Sequence, residues 1–264
     1  MAASIEKLKQ IAGEKAAEFV RSGMVVGLGT GSTAVYATQA IGQMLQNGRL
    51  HHILGIPTSD LTARQAQEAG IPLTTLDDHP LIDLVIDGAD EIDPQLNLIK
   101  GLGGALLREK IAATAAKQMI VVSDRRKIVV RLGTLAPVPV EVIRFARRPV
   151  HDFLTSLGAD VALRMEKETG ERPYITDEGN YILDCTFPGG LADPSAIAQT
   201  IIACPGVVEH GLFLGLATAA VKAGARIHTG SRVRKIESTA QGVRVETDQG
   251  SVSAGRAIVV TGAY

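Results

Sequence analysis

The chain lacks the long apolar runs and the excess of one charge that mark several large classes of protein. No apolar run approaches the roughly 18 residues needed to cross a bilayer, and the opening residues MAASIEKLKQ lack the apolar stretch of a signal peptide. Lysine plus arginine (27) nearly balances aspartate plus glutamate (28), which leaves a net charge of -1 and argues against a general nucleic-acid binder. We therefore expect a cytoplasmic protein with no nucleic-acid partner and no membrane partner.

Signals for disulfides and metal sites are equally scarce. Cys185 and Cys204 have neither the number of a disulfide framework nor the spacing of a metal knuckle, so both are expected to be small buried apolar residues. The six histidines form no HxxxH or HxH pattern. The sequence therefore indicates no metal site.

Short apolar runs instead alternate with amphipathic segments over the first half of the chain. Its 264 residues, 45% of them hydrophobic, suffice for a full core. Strands predicted between residues 24 and 122 are separated by helices, which is typical of a parallel sheet with helices on both faces. We predict the α/β class, with a Rossmann-like, doubly wound and mostly parallel sheet over residues 1–136 and 208–264.

The pattern changes from Pro137 onward. A helix is predicted at 150–157, and antiparallel strands are predicted at 161–164, 174–176 and 181–185, with hairpin-type residues between the last two. We predict a smaller α+β domain over residues 137–207, placed to cover the strand ends of the parallel sheet.

The densest group of charges lies in the stretch DGADEIDPQLNLIKGLGGALLREK, residues 87–110. Asp87 and Asp90 follow a predicted buried strand, and ligands of open α/β sheets bind where such strands end. Lys100 precedes a glycine-rich turn, and Glu109 lies near the start of the helix that follows. The stretch predicts a site, although the two aspartates could instead cap a turn, Lys100 could be solvated, and Glu109 with Lys110 could be an exposed pair.

A second candidate feature is the sequence GLGTGST at residues 27–33, between a predicted strand and a predicted helix. Glycines let backbone N–H groups approach a phosphate, hydroxyls add donors, and a helix N-terminus favours negative charge. The stretch matches neither GxxxxGK[ST] nor GxGxxG. It predicts a phosphate-binding turn, the alternative being a tight turn without a ligand.

Two further strand ends carry polar residues. Thr58, Ser59 and Asp60 could cap the next helix or contact substrate. Arg125, Arg126 and Lys127 follow a strand predicted at 119–122, and this basic group is either a solvated turn or a second contact for an anionic substrate. Lys127 is the candidate for that contact.

These motifs together carry a family resemblance. The segments GLGTGSTA, IPTSD, DGADEID, KGLGGALLREK, PVEVI and PGVVEHGLF, in this order, resemble the ribose-5-phosphate isomerase A family over about residues 5–216. The resemblance implies a Rossmann-like domain with a small α+β domain. It also implies interconversion of ribose 5-phosphate and ribulose 5-phosphate in the non-oxidative pentose phosphate pathway, with no metal or organic cofactor, by a homodimer or homotetramer.

The resemblance also implies roles for individual residues. Glu109 would move a proton between C2 and C1, Lys100 would hold the developing enediolate oxygen, Asp87 would assist ring opening and proton traffic, and Asp90 would position the sugar hydroxyls. The remaining substrate contacts that it implies are Thr30, Gly31, Ser32, Thr33, Gly88, Ala89, Gly101, Leu102, Gly103, Lys127 and Lys9. For Lys9, a solvated helix face is an equally good explanation.

Chemistry alone supports the first two roles. Moving a carbonyl between adjacent carbons needs a base within reach of a carbon acid and a cation where negative oxygen develops. A partly desolvated carboxylate such as Glu109 and an ammonium such as Lys100 meet these needs.

The chain departs from the family pattern at two places. Leu102 stands where the family usually has glycine, and this branched side chain limits backbone freedom. After residue 216 the chain resembles an internal piece of a FAD-dependent amine or amino-acid oxidoreductase: a helix followed by strands predicted at 225–229, 233–238, 242–246, 250–254 and 257–261. It lacks GxGxxG, so FAD binding is not expected. The last strand of the parallel sheet could be 217–221 or 257–261, and the second has the better buried-strand sequence.

Three other functions compete with isomerisation. A non-catalytic sugar-phosphate sensor with a helix-turn-helix is disfavoured, because only about 23 residues precede the first predicted strand. A CoA transferase would use a glutamate nucleophile, but Lys100 and the Arg108–Glu109–Lys110 group fit an isomerase better. A chimeric, inactive isomerase stays open because of the unusual tail.

Overall fold

The computed structural model describes residues 4–167, 169–222, 233–239, 242–247 and 250–254. The chain divides into two compact units, residues 1–223 and 224–264. In the described part of the chain, no helix is both long enough and apolar enough to cross a membrane.

The first unit contains six α-helices and twelve β-strands among its described residues. The helices are α1 Ile5–Ala17, α2 Ala34–Gln46, α3 Asp60–Glu68, α4 Leu106–Thr114, α5 Arg147–Ser156 and α6 Pro194–Ile202. The strands are β1 Val25–Leu28, β2 Leu54–Pro57, β3 Leu84–Gly88, β4 Glu91–Ile92, β5 Leu98–Ile99, β6 Met119–Ser123, β7 Val138–Val142, β8 Asp160–Leu163, β9 Tyr181–Thr186, β10 Val207–His210, β11 Leu212–Phe213 and β12 Ala219–Lys222.

A five-stranded parallel sheet forms the centre of this unit, in the order β12-β6-β3-β1-β2. Strands β1 and β6 are buried throughout, and in β3 only the final glycine is partly exposed, as expected for short apolar runs covered on both faces. The predicted α/β class and parallel sheet are confirmed.

The edge of this sheet beside β6 corrects one prediction. It is occupied by β12, where Ala219 pairs with Ile120 and Lys222 pairs with Ser123. The sequence analysis preferred residues 257–261 at this position over residues 217–221, and that preference was wrong. Thr218 assists the pairing, because its hydroxyl accepts from Met119 N and donates to Met119 O at 3.0 and 2.8 Å. Residues 257–261 lie outside the described residues.

A four-stranded antiparallel sheet in the order β10-β7-β9-β8, together with α5 and α6, follows in the chain. Its core includes Val140, Leu183 and Ile201, all fully buried. The strand predicted at 174–176 was wrong: this stretch forms no strand, although Tyr174 N donates to Arg164 O at 2.9 Å. Thr176 instead closes the 176–180 turn by donating its N–H to Asn180 O. The domain bounds at 137 and 207 stay a prediction.

A small antiparallel sheet, β11-β5-β4, holds the segment that carries the main cluster of charges. Ile99 pairs with both Glu91 and Leu212, and Lys100 N donates to Gly211 O at 2.9 Å. Residues 88–100 are thereby fixed on both sides just beyond the end of β3.

The second unit contains a three-stranded antiparallel sheet, with β13 Val233–Thr239, β14 Gly242–Thr247 and β15 Gly250–Ala254 in that order. Strands predicted at 233–238, 242–246 and 250–254 agree with it. The helix predicted before residue 225 was wrong in its described part, which forms β12. The strand predicted at 225–229 lies outside the described residues.

Candidate active site

Asp87 lies at the carboxyl end of β3, one residue beyond the predicted end of the apolar run, and is fully buried. Its Oδ1 accepts N–H groups from Gly88 at 2.7 Å and Thr30 at 3.1 Å. A Cβ on Gly29 would overlap this same carboxylate, so only glycine lets the β1–α2 turn approach so closely. Asp87 is therefore held by its own strand end and by the neighbouring turn.

Lys100 and Glu109 complete a buried charged triad with Asp87. Lys100 Nζ lies 2.9 Å from Asp87 Oδ2 and 3.3 Å from Glu109 Oε2, and it donates to Gly88 O at 2.7 Å. The Lys100 side chain is 2% exposed and the Glu109 side chain 5%. The sequence prediction that residues 87–110 form one site is supported by this geometry, whereas solvated or exposed positions for these side chains are not.

Burial controls the protonation of the triad. It raises the pKa of Glu109 to about 8, with repulsion from Asp87 as the second cause and the Lys100 ammonium opposing both. Burial also raises the pKa of Asp87 despite attraction to Lys100. Lys100 stays charged, because the two carboxylates outweigh its own desolvation and raise its pKa. The site thus combines a fixed cation with a carboxyl whose pKa suits proton transfer near neutral pH.

Two buried carboxylate oxygens of the triad face the Lys100 ammonium. Asp87 Oδ2 and Glu109 Oε2 lie at ion-pair distance from Lys100, but within the described part of the chain neither accepts a hydrogen bond of good geometry. Buried oxygens of this kind usually find hydrogen-bond partners, and the Lys100 ammonium lies within 3.3 Å of both.

The glycine turn after Lys100 ties Asp90 to the start of α4. Leu102 N donates to Asp90 Oδ2 at 2.9 Å, and Gly101 adopts a positive φ of 105°. Gly101 O accepts from Gly104 N at 2.9 Å and from Arg164 Nη1 at 2.6 Å. Leu102 is half-buried against the core of the antiparallel sheet, while the neighbouring Gly103 is exposed.

The turn at residues 29–33 has the form of an anion-binding turn. Gly31 has a positive φ of 132° and faces open space. Among the described residues, the backbone N–H groups of Gly31, Ser32 and Thr33 have no acceptor, and neither do the hydroxyls of Ser32 and Thr33. These donors precede α2 directly, where the helix dipole favours an anion.

The other predicted substrate-binding residues differ in how near they lie to the charged triad. Lys127 Nζ lies 4.0 Å from Asp90 Oδ1 and is partly exposed, which puts its ammonium at the rim of the charged group. Lys9 Nζ instead pairs with Glu6 Oε1 at 2.9 Å on α1. Gly88 contacts Asp87 and Lys100 through its backbone, and Ala89 is half-buried between Gly88 and Asp90.

The sequence analysis offered a capping role for Ser59 but missed its contacts with other hydroxyls, and it missed the role of Glu91. Ser59 caps α3 by accepting Thr62 N at 3.0 Å, as one of its two proposed roles requires, but it also joins Thr30 and Thr62 in a group of hydroxyls. The Ser59–Thr62 spacing at a helix start was the available signal. Glu91 is fully buried and accepts N–H groups from Gly133 and Ala136, and no local pattern identified that role.

In the part of the chain that the structure describes, histidine, cysteine, aspartate and glutamate side chains form no cluster of three or more placed to hold a metal ion.

Comparison with known families gives two matches. The model of the family "Ribose 5-phosphate isomerase A (phosphoriboisomerase A)" matches residues 54–226. The model of the family "Flavin containing amine oxidoreductase" matches residues 210–263, in agreement with the second resemblance of the tail.

Relatives and solved structures agree with the first match. Ribose-5-phosphate isomerase A of Roseiflexus castenholzii is 54% identical over 213 residues, covering 81% of this chain and 90% of its own length. Probable ribose-5-phosphate isomerase 3, chloroplastic, of Arabidopsis thaliana is 49% identical, covering 85% and 82%. A structure of ribose 5-phosphate isomerase from Plasmodium falciparum has a TM-score of 0.79 at 39% identity and covers 82% of this chain and 93% of its own. A D-ribose-5-phosphate isomerase in complex with phospho-erythronic acid has a TM-score of 0.80 at 41% identity, with coverages of 83% and 96%.

Proposed function

Because the chain belongs to the ribose-5-phosphate isomerase A family, we propose that it interconverts ribose 5-phosphate and ribulose 5-phosphate at the triad of Asp87, Lys100 and Glu109. The observation that carries this proposal is the placement of Lys100 Nζ within 3.3 Å of both carboxylates in a buried site. All three residues lie in the unit 1–223, outside the unusual tail.

Glu109 is the base of the proposed reaction. Its carboxylate takes the proton from C2 of the open-chain aldose, the C2–H electrons form the C1–C2 double bond, and the C1 carbonyl oxygen becomes an enediolate oxygen. Return of a proton from Glu109 to C1, with transfer of the O2 proton toward O1, completes the ketose. A positioned base of this kind contributes about 10²- to 10⁴-fold in rate.

Lys100 stabilises the enediolate oxygen in this scheme. Its ammonium is already fixed by Asp87 and Gly88, so little reorganisation is needed when negative charge develops. Asp87 has a raised pKa and its Oδ2 lies 2.9 Å from the Lys100 ammonium, which suits it to carry a proton between the two sugar oxygens and to assist ring opening. Asp90, held by Leu102 N and near Lys127, positions the sugar hydroxyls.

The substrate phosphate is proposed to bind at residues 29–33. Support comes from the free N–H groups of Gly31, Ser32 and Thr33 at the start of α2 and from Lys127 at the rim of the site. The hydroxyl of Thr30 is turned toward other hydroxyls, so Thr30 contributes to this site by shaping the turn. Lys9 would need to exchange its ion pair with Glu6 to reach the phosphate.

Conversion of ribose 5-phosphate in the presence of EDTA tests the function directly. We expect the purified full chain to form ribulose 5-phosphate at a rate that EDTA does not change. A chain that binds the sugar phosphate without converting it would be a sensor, and one that does neither would be an inactive chimera. Either outcome would overturn the proposal.

The pH dependence of kcat/KM should follow ionisation of Glu109. Because the base must be deprotonated and burial raises its pKa to about 8, we expect kcat/KM to fall as pH decreases below that value. Repulsion from Asp87 is the second cause of the raised Glu109 pKa. Asp87→Asn should therefore move the acidic limb of the pH–rate profile, the side on which kcat/KM falls with decreasing pH, to lower pH, and it should also lower the rate. The check is a pH–rate profile of both proteins between about pH 5 and 9.

Asp152→Asn is the matched control, since Asp152 is exposed on α5 and pairs with Arg148. Its acidic limb should coincide with that of the wild type. Ionisation of the substrate phosphate, with a pKa of about 6, contributes equally to all three profiles. An acidic limb that stays in place in Asp87→Asn would contradict the assignment of Glu109 as the titrating base.

A homodimer or homotetramer is part of the proposal. Its support is the family membership together with exposed apolar side chains, above all Phe145, which is 96% exposed. Light scattering on the purified full chain should give two or four times 27.8 kDa. A monomer at all concentrations would refute this part. The cytoplasmic location stays a prediction.

A further inference from the structure

Four hydroxyls meet beneath the β1–α2 turn, and we name Thr30, Thr58, Ser59 and Thr62 the hydroxyl cluster. Thr30 Oγ1 lies 2.8 Å from Thr58 Oγ1, 2.9 Å from Ser59 Oγ and 3.1 Å from Thr62 Oγ1. Thr58, Ser59 and Thr62 are buried. Two hydroxyls from the β2–α3 connection and one from the first turn of α3 therefore surround one hydroxyl of the proposed phosphate-binding turn.

The hydroxyl protons can be assigned in one consistent direction. Each hydroxyl has a single proton: Thr30 donates to Ser59, Ser59 donates to Thr62 at 3.0 Å, and Thr62 donates to Gly29 O at 3.3 Å. Thr58 donates either to Thr30 Oγ1 at 2.8 Å or to Leu28 O at 3.0 Å, and in the first case all four hydroxyls form one chain of donors. The chain of donors thus ends on backbone carbonyls of the segment that leads into the turn, and buried networks of this kind fix geometry when every member is satisfied.

The segment held by the cluster is the one that contacts Asp87. Thr30 N donates to Asp87 Oδ1, and Gly29 packs so closely on this carboxylate that no Cβ fits. The next three residues, 31–33, supply the free N–H groups of the proposed phosphate site. A shift of residues 29–30 would therefore move two things together: the backbone that contacts Asp87, and the N–H groups of residues 31–33 that are proposed to bind the phosphate.

We propose that Thr58, Ser59 and Thr62 are positioning residues that lock the turn 29–33 onto Asp87, so that the phosphate site and the carboxylate of the triad are held by one rigid segment. The proposal rests on the proposed function for its effect on catalysis, and on the geometry of the turn for its effect on phosphate binding. Interactions made with the phosphate are thereby transmitted to the reacting end of the sugar.

The test uses Thr62→Val, which removes one hydroxyl and keeps the side-chain shape. We expect kcat to fall about tenfold, as loss of one buried hydrogen-bonding group allows. Thr62→Ser keeps the hydroxyl and should recover most of the rate. Thr38→Val, at a buried threonine of α2 outside the cluster, is the matched control and should retain wild-type kcat. If melting shows that Thr62→Val is unfolded, Thr58→Val replaces it.

A double-mutant cycle separates positioning from general destabilisation. If the cluster acts through Asp87, Thr62→Val should lower kcat by less than about twofold in an Asp87→Asn background. The proposal would be overturned if the fold-loss of kcat in the double variant equalled the product of the losses in Thr62→Val and Asp87→Asn. It would also be overturned if Thr62→Val had the same kcat as Thr38→Val.

Binding of inorganic phosphate, measured by calorimetry, supplies a readout that does not depend on turnover. The dissociation constant should rise about three- to tenfold in Thr62→Val and return toward the wild-type value in Thr62→Ser. A wild-type chain that binds phosphate but lacks isomerase activity would refute the proposed function and leave this part standing. Unchanged phosphate affinity in Thr62→Val, or no phosphate binding by the wild type, would overturn the inference itself.

Discussion

Glu109→Gln should lower kcat/KM for ribose 5-phosphate by at least about 10²- to 10³-fold, because the amide cannot accept the proton from C2. The protein should remain folded. The substitution removes a buried carboxyl whose pKa is raised by desolvation, and Lys100 keeps its contacts with Asp87 and Gly88. Steady-state kinetics and a thermal melt of the same preparation measure both effects.

Glu68→Gln is the control for this substitution, since Glu68 is exposed at the end of α3. It should have wild-type kinetics. Near-normal turnover in Glu109→Gln would show that another group takes the proton, and the assignment of the base would then be wrong.

The second large effect is expected for Lys100→Ala, again at least about 10²- to 10³-fold in kcat, the usual cost of one preorganised group that stabilises an oxyanion. Two causes add here. The enediolate oxygen loses its cation, and Glu109 loses the attraction that holds its pKa down, so less of the base is ionised at neutral pH. The acidic limb of the pH–rate profile should therefore move to higher pH, opposite to the change expected for Asp87→Asn.

Lys117→Ala is the matched variant, since the exposed Lys117 pairs with Asp83 away from the triad. It should leave both kcat and the profile unchanged. An acidic limb in Lys100→Ala that does not move, together with a small loss of rate, would show that Lys100 is not coupled to the base.

The arrangement explains why a parallel sheet suits this chemistry. Asp87 comes from the end of β3, Lys100 from the segment that pairs with β11, and Glu109 from the first turn of α4. Each charge is buried, and each would be costly alone, because an isolated buried ion is strongly disfavoured. The three groups are tolerated together because the ammonium lies between the two carboxyl groups and Gly88 O, and because the raised pKa of Glu109 keeps part of that carboxyl protonated near neutral pH.

Much of the fold follows from local patterns. Strands β1, β3 and β6 are short apolar runs that end in or directly before glycine or polar residues, so their positions and their parallel direction could be predicted. The stretch 174–176 was predicted as a strand because Tyr174 and Ile175 have strand propensity. Strand propensity depends on packing against a paired neighbouring strand, and this stretch does not pair as a strand. The edge beside β6 was misassigned because a better apolar run at 257–261 was preferred to residues 217–221, most of which lie in the observed strand β12.

The residues of the triad could also be predicted, since carboxylates and ammonium groups at strand and helix ends are visible in the sequence. The residues that hold the surrounding segments in place could not be predicted. Arg164, directly after β8, reaches Gly101 O and Asp184, and Glu141 accepts from Thr176 and Asn180 across more than 30 residues. Such contacts depend on how sheets and turns meet in space, and no periodicity in the chain encodes them.

The central claim is that Glu109 moves a proton through an enediolate, and conversion of ribose 5-phosphate in D₂O measures this directly. As the reaction approaches equilibrium, deuterium should accumulate at C1 of ribulose 5-phosphate and at C2 of ribose 5-phosphate, because the Glu109 carboxyl, protonated while the enediolate is bound, exchanges its proton with solvent before the proton returns to carbon. NMR of the sugar carbons detects the deuterium. In Glu109→Gln, the rate of deuterium incorporation should be lowered together with the rate of isomerisation. Full equilibration of aldose and ketose with no deuterium at either carbon would indicate a hydride shift and would contradict the account.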